Sequence, residues 1–429
     1  MKNTVIVGAQ FGDEGKAKIT DILAENAQMI VRYQGGCNAG HTVVVGDKTY
    51  KFHLIPSGIL YKDKTCFIGA GVVLYPDSFR KELVDLLTQG VPNDHFANNL
   101  KISPLAHITM PYHIDLDGGS ESALGANKIG TTKKGIGPTY TDKYARSGIR
   151  MEDLFDKKRL EEKLDIILPA KNLTLERVYG LKPYSKEYLL ELCEEYRELF
   201  EPYVCWNWQE LLEDAKKNKT ILFEGAQGVL LDIDYGTYPY VTSSNPIAGG
   251  AGVGAGVGPM VIGEAVGVFK AYITRVGEGP FVTELLDDTG EEIRKVGAEF
   301  GTTTGRPRRC GWFDGVIARY SVLVGGLSCA AITKMDVFDK FDEIKLCVGY
   351  RNIHTDEIIE YYPTQVHTHC DYVPVYEYFE GWREDISKAR NFDELPKNAK
   401  VYLARLEDLL GIPIKIISVG PKREQTIFV

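Results

Sequence analysis

Gly8-Ala9-Gln10-Phe11-Gly12-Asp13-Glu14-Gly15-Lys16-Ala17-Lys18 follows the apolar run Thr4-Val5-Ile6-Val7 and precedes Ile19-Thr20-Asp21-Ile22-Leu23-Ala24. The first flank has the length and β-branched content of a buried parallel strand, and the second reads as a helix. A glycine-rich turn between strand and helix is a phosphate cradle: backbone N–H groups approach oxygens closely, and the helix N-terminus favours negative charge. Lys16 and Lys18 add positive charge. The stretch nearly fits the P-loop pattern, but Gln10 stands where the first glycine belongs and Ala17 where a magnesium-binding hydroxyl belongs. If a metal-nucleotide binds, Asp13 becomes the natural carboxylate ligand, because magnesium takes hard oxygens and few protein ligands beside phosphates. The competing reading is a tight turn with exposed lysines.

At 429 residues the chain is long enough for one large α/β domain or two to three ordinary ones. Hydrophobic residues at 44% and charged residues at 25% are ordinary for a soluble globular protein. The formal net charge of −9 argues against nucleic-acid binding through a broad basic surface. No apolar run reaches membrane-spanning length, and Met1-Lys2-Asn3 leads into a strand rather than a signal peptide, so the expected location is cytoplasmic. The eight cysteines are scattered without metal-ligand spacing, which reads as buried thiols. His367-Thr368-His369-Cys370 stands alone in a polar segment and lacks a closed ligand set.

Further along, Met29-Ile30-Val31-Arg32-Tyr33 reads as a strand, followed by a second glycine-rich turn from Gln34 to Thr42. Two such turns after strands predict one site at the carboxyl ends of a sheet. His41, between Gly40 and Thr42, is placed for acid, base or phosphate work, whereas His53 reads as structural. Thr65 to Gly69 is strand-like, and Asp77-Ser78 is expected to cap a helix through Phe79, Leu83, Leu86 and Leu87. Gly130 to Pro138 gathers hydroxyls, lysines and glycines, with Arg146 and Arg150 following, and suits a second phosphate or a solvated basic loop. Residues 151 to 216 read as charged helices with core-facing stripes.

Thr220-Ile221-Leu222-Phe223 is a buried strand, then comes the turn Glu224-Gly225-Ala226-Gln227-Gly228. The Gly/Ala-rich run Ala248 to Gly258, flanked by Pro246 and Pro259, predicts close backbone packing near a ligand. Val261 to Val268 is another strand. Glu299 to Arg309 sets three hydroxyls and three guanidinium groups in one turn, the chemistry of carboxylate and phosphate recognition. Ala330-Ala331-Ile332-Thr333-Lys334-Met335-Asp336 is a strand whose terminal aspartate can accept from N1 and N2 of guanine, a donor pair adenine lacks. Ile414 to Pro421 is a last strand with a terminal turn.

Together Gly12 to Lys16, Gly36 to Thr42, Gly130 to Tyr140, Glu224 to Asn245 and Thr304 to Trp312 resemble the adenylosuccinate synthetase family, in order from Gly8 to Pro421. The resemblance implies an α/β fold: a large, predominantly parallel, P-loop-NTPase-like central sheet flanked by helices. Residues 1–429 would form one large domain, with excursions near 103–216 and 340–400. The implied activity is a ligase coupling GTP hydrolysis to the joining of IMP and L-aspartate through 6-phosphoryl-IMP, giving adenylosuccinate, GDP and phosphate on the way to AMP.

The same resemblance implies roles for particular residues. Asp13 would be the general base toward IMP N1, and His41 the acid easing GDP departure. One Mg2+ per subunit would be held by Asp13 and the Gly40 carbonyl. GTP would meet Gly12, Asp13, Glu14, Gly15, Lys16, Ala17, Lys18, Gly40, His41, Thr42 and Arg308. Its guanine would meet Lys334, Met335, Asp336, Ser418, Val419 and Gly420. IMP would meet Asp13, Glu14, Gly15, Lys16, Asn38, Ala39, Gly40, His41, Thr132, Gln227, Thr242 and Arg306, and Arg146 from the neighbouring subunit of a homodimer. Aspartate would meet Thr302, Thr303, Thr304, Gly305 and Arg306. No nucleic acid or membrane partner is implied.

The chemistry is coherent: purine O6 leaves poorly until phosphorylated, removing N1–H makes it nucleophilic, and a carboxylate at Asp13 beside Lys16 and magnesium suits that step. Departures from the family pattern are Phe11, Ala17, Cys37 and Pro246-Ile247, all between the matched positions. Two rival readings remain, a GTP-binding switch without synthesis and a relative accepting ATP or a guanine monophosphate.

Overall fold

The computed structural model describes residues 2–46, 48–125, 130–301, 305, 307–363 and 365–429, without the side chains of 366–368. Its centre is a nine-stranded sheet. In chain order the strands are β1 (Thr4–Gly8), β2 (Met29–Arg32), β3 (Thr65–Ile68), β4 (Leu100–Ile102), β5 (Ile221–Glu224), β6 (Glu264–Lys270), β7 (Cys329–Thr333), β8 (Ile414–Ser418) and β9 (Thr426–Phe428). Their spatial order is β9-β8-β7-β6-β1-β5-β2-β3-β4. Every neighbouring pair is parallel except β8 and β9. The expected predominantly parallel α/β sheet is the observed one.

Alternation along the strands explains why these runs are apolar throughout. Ile6, Ile30, Leu222, Val266 and Val268 face one side and pack with Ile19 and Ala24 of α1 (Lys16–Ala24). Val5, Val7, Met29, Val31 and Phe223 face the other, with Ala248, Ala251 and Ala255 of α2 (Ala248–Ala255). Burial on both faces favours hydrophobic residues along the body of each strand. The glycines of α2 serve close packing, as expected, but against the sheet: a Cβ on Gly254 would stand 1.9 Å from the Tyr33 carbonyl oxygen.

Other boundaries differ from the sequence reading. The helix expected to start at an Asp77-Ser78 cap begins at Pro76, a residue whose fixed φ and missing N–H suit the first turn, and it runs to Thr88. Ile414 to Ser418 is not the last strand, because β9 adds an antiparallel edge too short for periodicity to reveal. His41–Val45 and Lys48–Phe52 form a hairpin, so His41 opens a strand instead of sitting inside a turn. Seven cysteines are buried and Cys370 is exposed. Helices at Pro111–Ala123, Ile136–Ala145, Lys157–Tyr179, Lys186–Phe200 and Trp208–Asn218 build the 103–216 region. A second sheet joins Tyr272–Arg275, Arg309–Asp314, Glu343–Asn352, Ile358–Ile359 and Tyr372–Glu380.

Parallel strands bring their carboxyl ends to one edge. The turns after β1, β2, β5, β6, β7 and β8 therefore converge there, although β1 ends at Gly8 and β8 at Ser418, near opposite ends of the chain.

Candidate active site

The turn after β1 is held from within. The Glu14 carboxylate is fully buried and accepts from the N–H groups of Gln10 (3.0 Å) and Gly12 (2.8 Å) and from Lys16 Nζ (2.6 Å). A Cβ on Gly8 would stand 2.5 Å from that carboxylate, so only glycine fits. Gly15 precedes α1 at φ 85°, and no side chain caps the helix, which leaves its N-terminal N–H groups for an anion. Asp13 sits at the turn's apex with φ 60° and its side chain 34% exposed.

The structure changes the expected partnership of the cations. Lys16 goes to Glu14, and Asp13 forms its ion pair with Arg308 Nε at 2.9 Å. Lys18, expected among the phosphate ligands, donates to Ser418 Oγ (2.7 Å), Gly420 O (2.7 Å) and Gln425 O (2.9 Å). It fastens the turn after β8 to α1. Burial pushes its amine down to about 7.

His41 lies on the other side. Its Nδ1 donates to Glu224 Oε1 at 2.6 Å, and Glu224 also accepts from the Ser57 N–H (3.1 Å) and hydroxyl (3.0 Å). Arg32 Nη1 stands 3.5 Å from the same carboxylate. Burial lowers the His41 pKa and outweighs the pull of Glu224. Burial alone would raise Glu224, but His41, Arg32 and the Ser57 N–H hold it below its usual range. The pair is therefore neutral imidazole on carboxylate. His41 Nε2 is buried with no partner among the described residues, and Lys16 is near enough for its charge to act on the ring.

A second buried carboxylate backs Arg308. Glu299 Oε2 accepts from Arg308 Nη1 at 2.6 Å, while Oε1 accepts from Lys270 Nζ (2.8 Å) and Tyr272 OH (2.6 Å). Burial would raise the Glu299 pKa, yet Lys270, Lys334 and Arg308 bring it down to about 2. On the nucleobase side, Lys334 has φ 61° and donates to Gly297 O at 2.8 Å, and Met335 is buried. Asp336 Oδ1 is buried with no partner among the described residues, an acceptor open to a ligand's N–H. Burial raises the Asp336 pKa against the charges of Lys334 and Lys18. Val419 is buried and Ser418 Oγ donates to Gly420 O at 3.0 Å.

The residues expected around IMP are partly assembled. Gln227 Nε2 donates to Asn38 Oδ1 at 3.2 Å, and Gln34 Nε2 to Gln227 Oε1 at 3.1 Å. Ala39 is buried, and its carbonyl accepts from His53 Nδ1 at 2.6 Å, the structural part expected of that histidine. Thr42 and Thr132 are exposed, Ala17 is buried at the start of α1, and the Thr242 N–H donates to Leu231 O at 2.8 Å. Arg146 is exposed at φ 65°, directly after the helix Ile136–Ala145. Gly305 is exposed at φ 64°, while Thr302, Thr303, Thr304 and Arg306 lie outside the described residues.

Asp13 and Gly40 fit a hard divalent cation in kind. One is a partly exposed carboxylate, and Gly40 faces space in which a Cβ would meet nothing within 4 Å. Among the described residues no three His, Cys, Asp or Glu side chains cluster as a metal cage, and none is needed where phosphates and water complete the shell. The His367 and Thr368 side chains are outside the description; His369 Nε2 pairs with Pro363 O at 2.9 Å. No described helix is long and apolar enough to cross a membrane. A cavity of about 1030 Å³ lined by Tyr235, Tyr238, Tyr240, Tyr320 and Tyr362 has none of the predicted site residues in its lining.

Sequence reading assigned no part to Glu224, Glu299, Lys270 or Arg32. A signal was present: β2, β5 and β6 are apolar runs that each end in a charge, Arg32, Glu224 and Lys270. A charge closing a buried strand has to be paired.

The family model described as adenylosuccinate synthetase matches residues 5–427. The chain is 55% identical to the adenylosuccinate synthetase of Heliobacterium modesticaldum, over 100% of this chain and 99% of that one. It is 39% identical to a solved structure of fully ligated adenylosuccinate synthetase from Plasmodium falciparum, with a TM-score of 0.92 and full coverage of both chains. A cyanophage succinoaminodeoxyadenylate synthetase bound to dGMP and dATP shares the fold at 19% identity and a TM-score of 0.62, covering 100% of this chain and 95% of that one.

Proposed function

The chain belongs to the adenylosuccinate synthetase family, ligases of purine nucleotide biosynthesis, and we propose that its cleft joins IMP and L-aspartate at the expense of GTP. The observation that carries the reading is the pairing of two unlike groups beside the turn after β1. Asp13 is a partly exposed carboxylate held by Arg308, and His41 is a buried imidazole oriented by Glu224, its Nε2 without a partner among the described residues. Separate environments for two titratable groups suit separate proton tasks.

Asp13 takes the N1 proton of IMP, and O6 attacks the γ-phosphorus of GTP as the bond to the GDP oxygen breaks. His41, which takes up a solvent proton at Nε2 when the phosphate anion arrives beside it, donates that proton toward the leaving oxygen. The aspartate amine then forms the bond to C6 of 6-phosphoryl-IMP, phosphate leaves with the C–O electron pair, and the amine's proton passes to solvent. Asp13 and the Gly40 carbonyl would hold Mg2+, which supplies charge neutralisation at the phosphates when bound. Arg308 and the α1 N-terminus add positive charge. Asp336 accepts from guanine, with Lys334, Met335 and the Ser418 to Gly420 turn around the base. Asn38, Thr132, Gln227, Thr242 and Arg306 hold IMP, Thr302 to Arg306 close on aspartate, and Arg146 reaches IMP across a homodimer.

Absorbance-monitored turnover with IMP, GTP, aspartate and magnesium, each omitted in turn, tests the reaction. Turnover should require all four. GTP cleavage without IMP would support the switch reading, and equal turnover with ATP would support the relative with altered nucleotide choice. Mixing Asp13→Ala with Arg146→Leu subunits tests the dimer. Random exchange across a two-fold interface should restore roughly a quarter of full activity, and confirmed mixed dimers without recovery would confine Arg146 to its own subunit.

A further inference from the structure

We propose that Glu299 is a positioning residue for the nucleotide side of this reaction, setting the Arg308 guanidinium so that it can pass between Asp13 and a phosphate oxygen. Four side chains of alternating charge run outward from the core: Lys270, Glu299, Arg308 and Asp13. Their contacts are 2.8 Å from Lys270 Nζ to Glu299 Oε1, 2.6 Å from Glu299 Oε2 to Arg308 Nη1, and 2.9 Å from Arg308 Nε to Asp13 Oδ2. Exposure grows along the series, at 1%, 1%, 11% and 34% for the four side chains. The inner pair is fixed and the outer pair opens into the cleft.

The two oxygens of Glu299 have different clients. Oε1 serves Lys270 and Tyr272, which neutralising a buried lysine would require on its own. Oε2 serves Arg308, a contact the lysine does not need. The backbone repeats the coupling, since the Arg308 N–H donates to Glu299 O at 3.0 Å and Phe300 bridges Pro307. With Nη1 anchored, the guanidinium keeps its remaining donors for the cleft. The Arg308 Nε contact to Asp13 is an ion pair without hydrogen-bond geometry, so a phosphate oxygen can displace it and release the carboxylate toward IMP.

The proposal rests on Arg308 meeting GTP, and a double-mutant cycle separates the two claims. GTP dissociation constants and KM for GTP are measured on the full chain carrying Glu299→Gln, Arg308→Leu and both. Glu299→Gln should weaken GTP about tenfold in the parent and less than about twofold in the Arg308→Leu background. Tyr272→Phe, which removes one donor to Oε1 and keeps the ring, should cost about threefold with the same dependence on Arg308, and it serves if Glu299→Gln does not fold. Equal losses in both backgrounds, or no loss in the parent, overturn the role of Glu299. Unchanged GTP binding by Arg308→Leu alone overturns the assignment of Arg308 itself.

Discussion

Glu224 and Glu299 are equally buried glutamates on either side of the turn after β1, yet their surroundings give them different uses. Around Glu224 the closest partners are an imidazole and the amide and hydroxyl of Ser57, with the Arg32 guanidinium at 3.5 Å. That carboxylate sets the tautomer and direction of a group able to move a proton. Around Glu299 two full cations stand at 2.6 and 2.8 Å, joined by a phenol. Such a carboxylate stays charged and can only hold other charges in place. The partners chosen, more than the residue or its burial, decide between proton chemistry and a fixed clamp.

The two regions meet at Asp13, so the largest effect is expected there. Asp13→Ala should lower kcat by at least about 1000-fold with an unchanged melting profile, because a loop carboxylate contributes little to the core. Activity within about tenfold of the parent would remove the common centre.

Next comes the Glu224 side. Glu224→Gln removes the charge that orients His41 and should lower kcat roughly 10- to 100-fold while KM for GTP moves less than about threefold. A rise in KM at constant kcat would make Glu224 a clamp like Glu299 and erase the contrast. The nucleobase pocket extends the comparison to a carboxylate with an oxygen left open. Asp336→Asn turns an acceptor into a donor, so GTP should weaken about tenfold while xanthosine triphosphate improves. Steady-state competition between the two nucleotides reads this directly, and an unchanged ratio would show that Asp336 does not face the base.

The smallest expected effect is on acid stability. Glu299 is brought from its usual 4.5 to about 2 in the folded protein. Between those values the unfolded chain binds the proton and the folded chain does not, so stability rises with pH. The contribution is complete above 4.5 and lost as pH falls through 2. Melting temperature should consequently fall less steeply for Glu299→Gln than for the parent from pH 4.5 toward 3. Parallel curves would mean that Lys270 and Arg308 do not hold the carboxylate charged.

Residues near one another in the chain determined much of this by themselves. Thr4 to Val7 is apolar and β-branched, Gly8 and Gly15 permit the close approach and positive φ of a phosphate turn, and strands leading into such turns imply a parallel sheet. Hydrophobic period and turn conformation are short-range properties, so they are legible without coordinates. The resemblance of five stretches added the expectation that Asp13 and His41 carry the proton steps.

Which cation meets which carboxylate was decided only by tertiary structure. Lys16 and Lys18 look interchangeable in the turn, yet one pairs with Glu14 two residues away and the other fastens Ser418, 400 residues away. His41 finds Glu224 across 183 residues because β2 and β5 are neighbours and end at the same edge. Burial makes those pairings obligatory, since an unpaired charge in the interior is costly, but the partner depends on strand order. Strand order is a property of the whole sheet, and no window of sequence contains it.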